Sequence, residues 1–241
     1  MSVQWHSYPT AKEAAQACAH GILAVLEEAL SGRPSTTLAV SGGTSPAAMF
    51  EELAARGTGW DKVHVFWVDE RAVPPTDPMS NYRLAEEHLI RPAGIPRANL
   101  HRICAELNPR AAARRYVDEI REFFGLEPGE MPHFDAVHRG LGPDAHTAGL
   151  FPGEPLIEDR EGIAAAVHVP KLGQFRITLL PGVLLAARHT ACLVTGAEKA
   201  EAVRAVFREP YDPLKYPAQV VTHHGRGVVW YLDDAAASLM D

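Results

Sequence analysis

The sequence predicts an α/β fold of the Rossmann-like kind: one mostly parallel sheet with helices on both faces, formed by a single domain over 1–241. Three observations predict it. Strand-like and helix-like segments alternate along the whole chain. The strand-like segments are short continuous apolar runs, the pattern of strands covered on both faces. The chain has 241 residues, 46% hydrophobic and 22% charged, which suits one domain with a full core.

The elements follow in order. Thr10 and Glu13 have capping-box spacing, ahead of an alanine-rich helix over 11–30 that Gly32 and Pro34 end. Thr37–Val40 is a strand, 46–55 a helix and Val63–Val68 a second strand. After a proline-rich loop, Ser80 caps a helix over 81–90. Asn108 and Pro109 supply the cap and first-turn proline of a helix over 109–124. Strands are expected at Phe134–Val137, Arg176–Leu180 and Ala191–Thr195, with a short helix near 182–187. A helix over 197–207, a strand at Val228–Leu232 and a last helix capped by Asp233 complete the pattern. No internal repeat or low-complexity segment interrupts it.

Composition excludes several classes of function. The net charge is -7, from 23 basic and 30 acidic residues, which argues against binding nucleic acid or an anionic membrane. An anionic substrate would have to be held by local positive groups. Three cysteines lack metal or redox spacing and read as buried free thiols of a reducing compartment. There is no signal-peptide pattern and no apolar run of the ~20 residues a membrane span needs. The expectation is a cytoplasmic monomer or small homo-oligomer.

In parallel sheets, sites form beyond the carboxyl ends of strands. Three segments stand there, and a fourth group is basic: Arg176 at the start of a strand and Lys199 early in a helix. Ser41-Gly42-Gly43-Thr44-Ser45-Pro46 leaves a strand and opens a helix, so its N–H groups and the helix dipole suit a phosphate. It lacks a P-loop lysine and a dinucleotide glycine pattern, which favours a small phosphate ester. A plain turn is the alternative. Asp69-Glu70-Arg71 ends the next strand and is either solvated, paired or functional. Gly140–Gly153 holds Asp144 and His146; His146 is a candidate general base and Asp144 its orienting partner. A structural histidine and a helix N-cap are the alternatives. Arg176 and Lys199 are either surface charges or further phosphate ligands.

Other chemistries lack their motifs. There is no G-x-S-x-G elbow and no H-E-x-x-H, and His223 and His224 stand without neighbouring metal ligands. No metal site is expected.

Together these segments resemble the 6-phosphogluconolactonase family, part of a group with glucosamine-6-phosphate deaminases and ribose-5-phosphate isomerases. The resemblance rests on LAVSGGTSP at 38–46, HVFWVDERAVPPTDPMSNY at 64–82, GLGPDAHTAGLFPG at 140–153, and RITLLPGVLLAARH with LVTGAEKAEAV within 176–203. It implies hydrolysis of a phosphorylated sugar lactone without a cofactor. His146 would activate water, Asp144 would hold the imidazole, and Arg71 or backbone N–H groups would stabilise the oxyanion. Ser41, Gly42, Gly43, Thr44, Asp69, Arg176 and Lys199 would hold the substrate. Two departures stand out. Ala145 replaces the family's usual glycine and implies a shifted backbone angle. His138 and Arg139 replace apolar strand residues and are expected at a sheet edge or in solvent. Rival readings are an isomerase or deaminase using Asp69 as base, and a sugar-phosphate sensor without turnover. Leu150-Phe151-Pro152-Gly153 is unlike the deaminases' usual continuation, and no DNA-binding segment is appended.

Overall fold

Local capping rules place the helices. The Thr10 hydroxyl oxygen accepts the Glu13 N–H at 3.2 Å and starts the first helix. Asn108 accepts N–H groups of Arg110 and Ala111, with Pro109 as first helical residue. Asp233 accepts the Ala236 N–H at 2.8 Å. The computed structural model describes residues 3–56 and 59–240.

Its elements are β1 (Gln4–Tyr8), α1 (Ala11–Gly32), β2 (Thr36–Val40), α2 (Pro46–Arg56), β3 (Val63–Trp67), β4 (Asp69–Arg71), α3 (Asn81–Ala85), α4 (Arg91–Ala93), β5 (Leu100–His101), α5 (Pro109–Phe124), β6 (Ala136–Arg139), β7 (Ala164–Val169), β8 (Gln174–Leu179), α6 (Pro181–Ala186), β9 (His189–Val194), α7 (Ala200–Arg208), α8 (Gln219–His224), β10 (Val228–Asp233) and α9 (Asp234–Ala237).

Seven strands form one sheet in the order β1-β10-β9-β6-β2-β3-β5. Every neighbouring pair in it is parallel. Helices cover the sheet, and one contiguous apolar core runs from Ala14 to Met240. The chain builds outward from β2 through β3 to β5, then returns to lay β6 on the other side of β2. That reversal opens a crevice beyond the carboxyl ends of β2 and β6.

The opposite end of the same strand pair is tied shut. Buried Asp135 accepts the Arg33 guanidinium at 2.6 Å, the Thr36 hydroxyl at 2.9 Å and the Thr37 N–H at 3.0 Å. A buried carboxylate satisfied this fully fixes the pairing of β2 with β6.

Several boundaries differ from the sequence reading. Strand β6 begins two residues later than expected and runs through Arg139. His138 and Arg139 therefore lie on a central strand, each about 1% exposed, and not at an edge or in solvent. The expected helix over 81–90 breaks after Ala85 into a wider turn over Glu86–Ile90. Cys18 and Cys192 are buried, whereas Cys104 is only half-buried.

The largest addition is a second sheet. Strands β4, β8 and β7 form an antiparallel three-stranded sheet in the order β4-β8-β7. Val68 makes the junction: its N–H donates to Val40 in the main sheet at 2.8 Å, and its carbonyl accepts Leu179 N–H in the small one at 2.8 Å. Asp69-Glu70-Arg71 is thus an edge strand and not a solvated loop.

Candidate active site

The crevice at the strand reversal is a cleft of about 230 Å³. Five chain segments meet in it: 41–46 after β2, Asp69 and Arg71 of β4, Asn81 of α3, 138–148 around the end of β6, and 193–199 around the end of β9. Of the ten residues proposed from sequence, Ser41, Gly42, Gly43, Thr44, Asp69, Arg71, His146 and Lys199 line the cleft. Asp144 stands behind His146. Arg176 does not line the cleft: its guanidinium donates to Gln174 at 2.5 Å, and it pairs in register with Arg71.

The glycine segment is shaped for a ligand. Gly43 has φ of 119°, a conformation that L side chains rarely adopt. A Cβ on Gly42 would lie 1.9 Å from Asn81 Oδ1, so only glycine fits beneath that amide. Pro46 is the first residue of α2, and residues 41–46 line the cleft at the helix's positive end. Ser45 shares a hydrogen bond with Thr195 at 2.8 Å, which ties this segment to the one after β9.

On the far side, His146 Nδ1 and Asp144 Oδ1 are 2.5 Å apart. The residues after Asp144 form tight turns and no helix, so Asp144 is not a helix N-cap. Gly142 N–H donates to the His146 carbonyl and Ala145 N–H to that of Gly142, each at 3.0 Å. This turn puts Ala145 at φ 62° and Ala148 at φ 53°. Ala145 thus holds a left-handed conformation that glycine adopts freely, which costs about 1–2 kcal/mol in a residue with a Cβ. Gly142 must lack a side chain, because a Cβ there would lie 1.8 Å from His146 Nδ1.

Two residues that sequence reasoning missed complete the histidine's surroundings. Phe151 stacks on the imidazole with centroids 4.1 Å apart. Lys171, from the turn between β7 and β8, donates to Asp144 Oδ2 and lies 4.7 Å from the Phe151 ring centre. Burial alone would raise the Asp144 carboxyl, but hydrogen bonds from His146 and Lys171 outweigh it and hold Asp144 well below the usual carboxylate range.

The carboxylates of β4 have separate tasks. Asp69 accepts the Ser41 hydroxyl at 2.6 Å within the cleft. Glu70 is buried and accepts N–H groups of Arg71, Asn81 and Tyr82, each at 2.8 Å, and the Ser80 hydroxyl at 3.0 Å. Burial raises its carboxyl, and these hydrogen bonds act against the rise. Glu70 has no capacity left for substrate: it anchors the proline-rich loop and the start of α3.

Lys199 sits half-buried at the end of a turn that begins at Gly196; burial lowers its ammonium, and Glu198 and Asp144 act the other way. Arg71 donates to the Met79 carbonyl at 2.5 Å, while its buried Nε lacks a partner. Asn81 Oδ1 and His138 Nε2 are likewise buried without partners at the cleft. Buried polar atoms are normally satisfied. Three such atoms around one cleft mark it as a place for a polar ligand.

The chain has relatives along most of its length. The family described as glucosamine-6-phosphate isomerases/6-phosphogluconolactonase matches residues 9–230. A 6-phosphogluconolactonase of Nostoc sp. is 37% identical over 218 residues, 90% of each chain. One from Haemophilus influenzae is 34% identical over 207 residues, 84% of this chain and 87% of the other. Among solved structures, the devB protein superposes with a TM-score of 0.87 at 33% identity, over 99% of each chain.

Proposed function

Because the chain belongs to the glucosamine-6-phosphate isomerase/6-phosphogluconolactonase family, we propose that it hydrolyses 6-phospho-D-glucono-1,5-lactone to 6-phosphogluconate in the pentose phosphate pathway. The observation that carries this reading is the Asp144–His146 pair facing the 41–46 segment across one cleft. That geometry sets a base opposite an anion site.

The phosphate rests on the N–H groups of Gly42, Gly43 and Thr44 at the start of α2, with Lys199 as its cation. Arg176 acts from behind Arg71, adding charge and no direct contact. Asp144 engages His146 Nδ1, which leaves Nε2 to take a proton from water. The water oxygen attacks the lactone carbonyl, and Arg71 with nearby backbone N–H groups stabilises the oxyanion. The bond from the carbonyl carbon to the ring oxygen then breaks. His146 returns its proton to that oxygen, leaving a carboxylic acid. The acid then releases its own proton to solvent to give the carboxylate, and His146 ends neutral as it began.

A deaminase is the second reading. It would use Asp69 as base, but Asp69 is engaged by the Ser41 hydroxyl. Turnover of freshly made 6-phosphogluconolactone and of gluconolactone, corrected for spontaneous opening, tests the proposal. The phosphorylated lactone is expected to be strongly preferred, since charge-assisted hydrogen bonds contribute about 1.5–3 kcal/mol each. Equal efficiency on both would remove the phosphate anchor from the reading.

A further inference from the structure

Arg139 has no role in the mechanism above, yet its surroundings are unusual. It lies on β6 about 1% exposed, one residue before the cleft-lining Gly140. One guanidinium nitrogen donates to the Thr147 hydroxyl at 2.6 Å and the other contacts Cys192 Sγ at 3.2 Å. Its Nε has no partner. Among the described residues no carboxylate pairs with it. An arginine keeps its charge at every working pH, and an unpaired buried charge is costly.

Its neighbours do not offset that charge. His138 is pulled down to about 3 by burial and by Arg139, so it stays neutral. Burial pushes the Cys192 thiol up, so it stays protonated too. The guanidinium is therefore a fixed positive charge on a residue that stands in the chain between the cleft-lining His138 and Gly140. Thr147, which it holds, lies between His146 and Ala148, both of them cleft residues.

We propose that Arg139 is a buried counter-charge for the bound anion: the phosphate monoester in the cleft supplies the negative partner that the protein itself withholds. The proposal rests on the anion-site reading of the cleft and adds a specificity residue to it. Such a charge needs no direct contact, because its field passes through low-dielectric protein that salt does not screen well. Lys199 and Arg71 act at the cleft surface, whereas Arg139 acts from buried β6, on whatever dianion sits there.

Calorimetric affinities of 6-phosphogluconate and inorganic phosphate test this, beside the melting temperature of the free protein. Wild type is compared with Arg139→Met, Arg139→Gln and Arg139→Lys. The two neutral variants are expected to bind both anions roughly ten-fold more weakly, with melting temperature unchanged or higher. Arg139→Lys should bind nearly as wild type. Weaker anion binding without a loss of stability is what a mere strut for Thr147 would not give. Equal affinities with a lowered melting temperature would overturn the proposal, as would absence of phosphate binding by wild type. If Arg139→Met does not fold, the Gln and Lys variants decide, and equal affinity in those two overturns it. Turnover of the lactone by wild type is read separately, so a failed lactonase reading leaves the anion measurements interpretable.

Discussion

The main parallel sheet and the small antiparallel sheet contribute to the same cleft by different physics. The parallel sheet supplies its candidate site residues through strand ends: the 41–46 segment, the Asp144–His146 pair and Lys199 all follow β2, β6 or β9. Each is placed within a few residues of a strand and held mainly by local turns. The small sheet supplies Asp69, Arg71 and Lys171 through long-range pairing. Its parts are held by one buried carboxylate, Glu70, and by the junction at Val68. The contrast separates residues positioned by topology from residues positioned by tertiary hydrogen bonds.

The largest effect should come from the parallel sheet's base. Removing His146 by His146→Ala is expected to lower turnover about 10²–10⁴-fold above the spontaneous rate. The fold should persist, because the ring is partly exposed and packs mainly on Phe151. A blank-corrected rate and a melting curve check both halves. Near-normal turnover would move the reaction's base elsewhere and end the assignment of chemistry to the end of β6.

That division also explains what the sequence made legible. Capping residues, the glycine segment and the spacing of Asp144 and His146 are local signals, and they located the helices and most of the cleft. Glu70 looked like any loop carboxylate, because its four partners lie at Arg71 and in 80–82, joined only by folding. Lys171 is 27 residues from Asp144, and nothing in the intervening chain announces the contact. Strand β7, with its small alanines, gave no strong strand signal. Charged or polar residues such as His138 and Arg139 point to solvent by composition. Only the strand order, which sets β6 at the centre of the sheet, reveals them as interior.

A second prediction targets the small sheet. Glu70→Ala leaves three backbone N–H groups and the Ser80 hydroxyl without their acceptor. Buried donors left unsatisfied cost about 1–3 kcal/mol each, so a loss on the order of 3–5 kcal/mol is expected after relaxation. Hydrogen exchange should quicken across 69–85 more than in β2 or β6. Uniform quickening across both sheets would mean that the two regions unfold as one unit and would erase the distinction between them.

The smallest effect falls where the two regions touch, at Lys171 and Asp144. Lys171 is half-exposed, and exposed ion pairs contribute little, so Lys171→Met should lower turnover only roughly two- to five-fold. Its pH profile is more informative than its rate. Asp144 is held well below the usual carboxylate range in part by Lys171, and His138 by burial stays neutral down to about 3. Neither therefore changes charge between about pH 5 and 8, the range in which histidines commonly do. The proposed base, His146, must be neutral to accept a proton, so the rate is expected to fall on acidification, and a substrate phosphate that titrates at about pH 6 makes the comparison of variants more telling than the limb itself. Taking a cation away from the Asp144–His146 pair favours the imidazolium, so the acid limb of Lys171→Met should move to higher pH. Lys171→Arg should restore it. The stability effect has its own sign: Asp144 has a depressed folded value, so what it contributes is present above the ordinary carboxylate value of about 3.9 and is lost as pH falls further. Lys171→Met should therefore shrink the stability difference between neutral and acid solution while it shifts the acid limb of the rate upward. An unshifted limb would show that the small sheet's lysine only closes the surface over Phe151 and leaves the base to the parallel sheet alone.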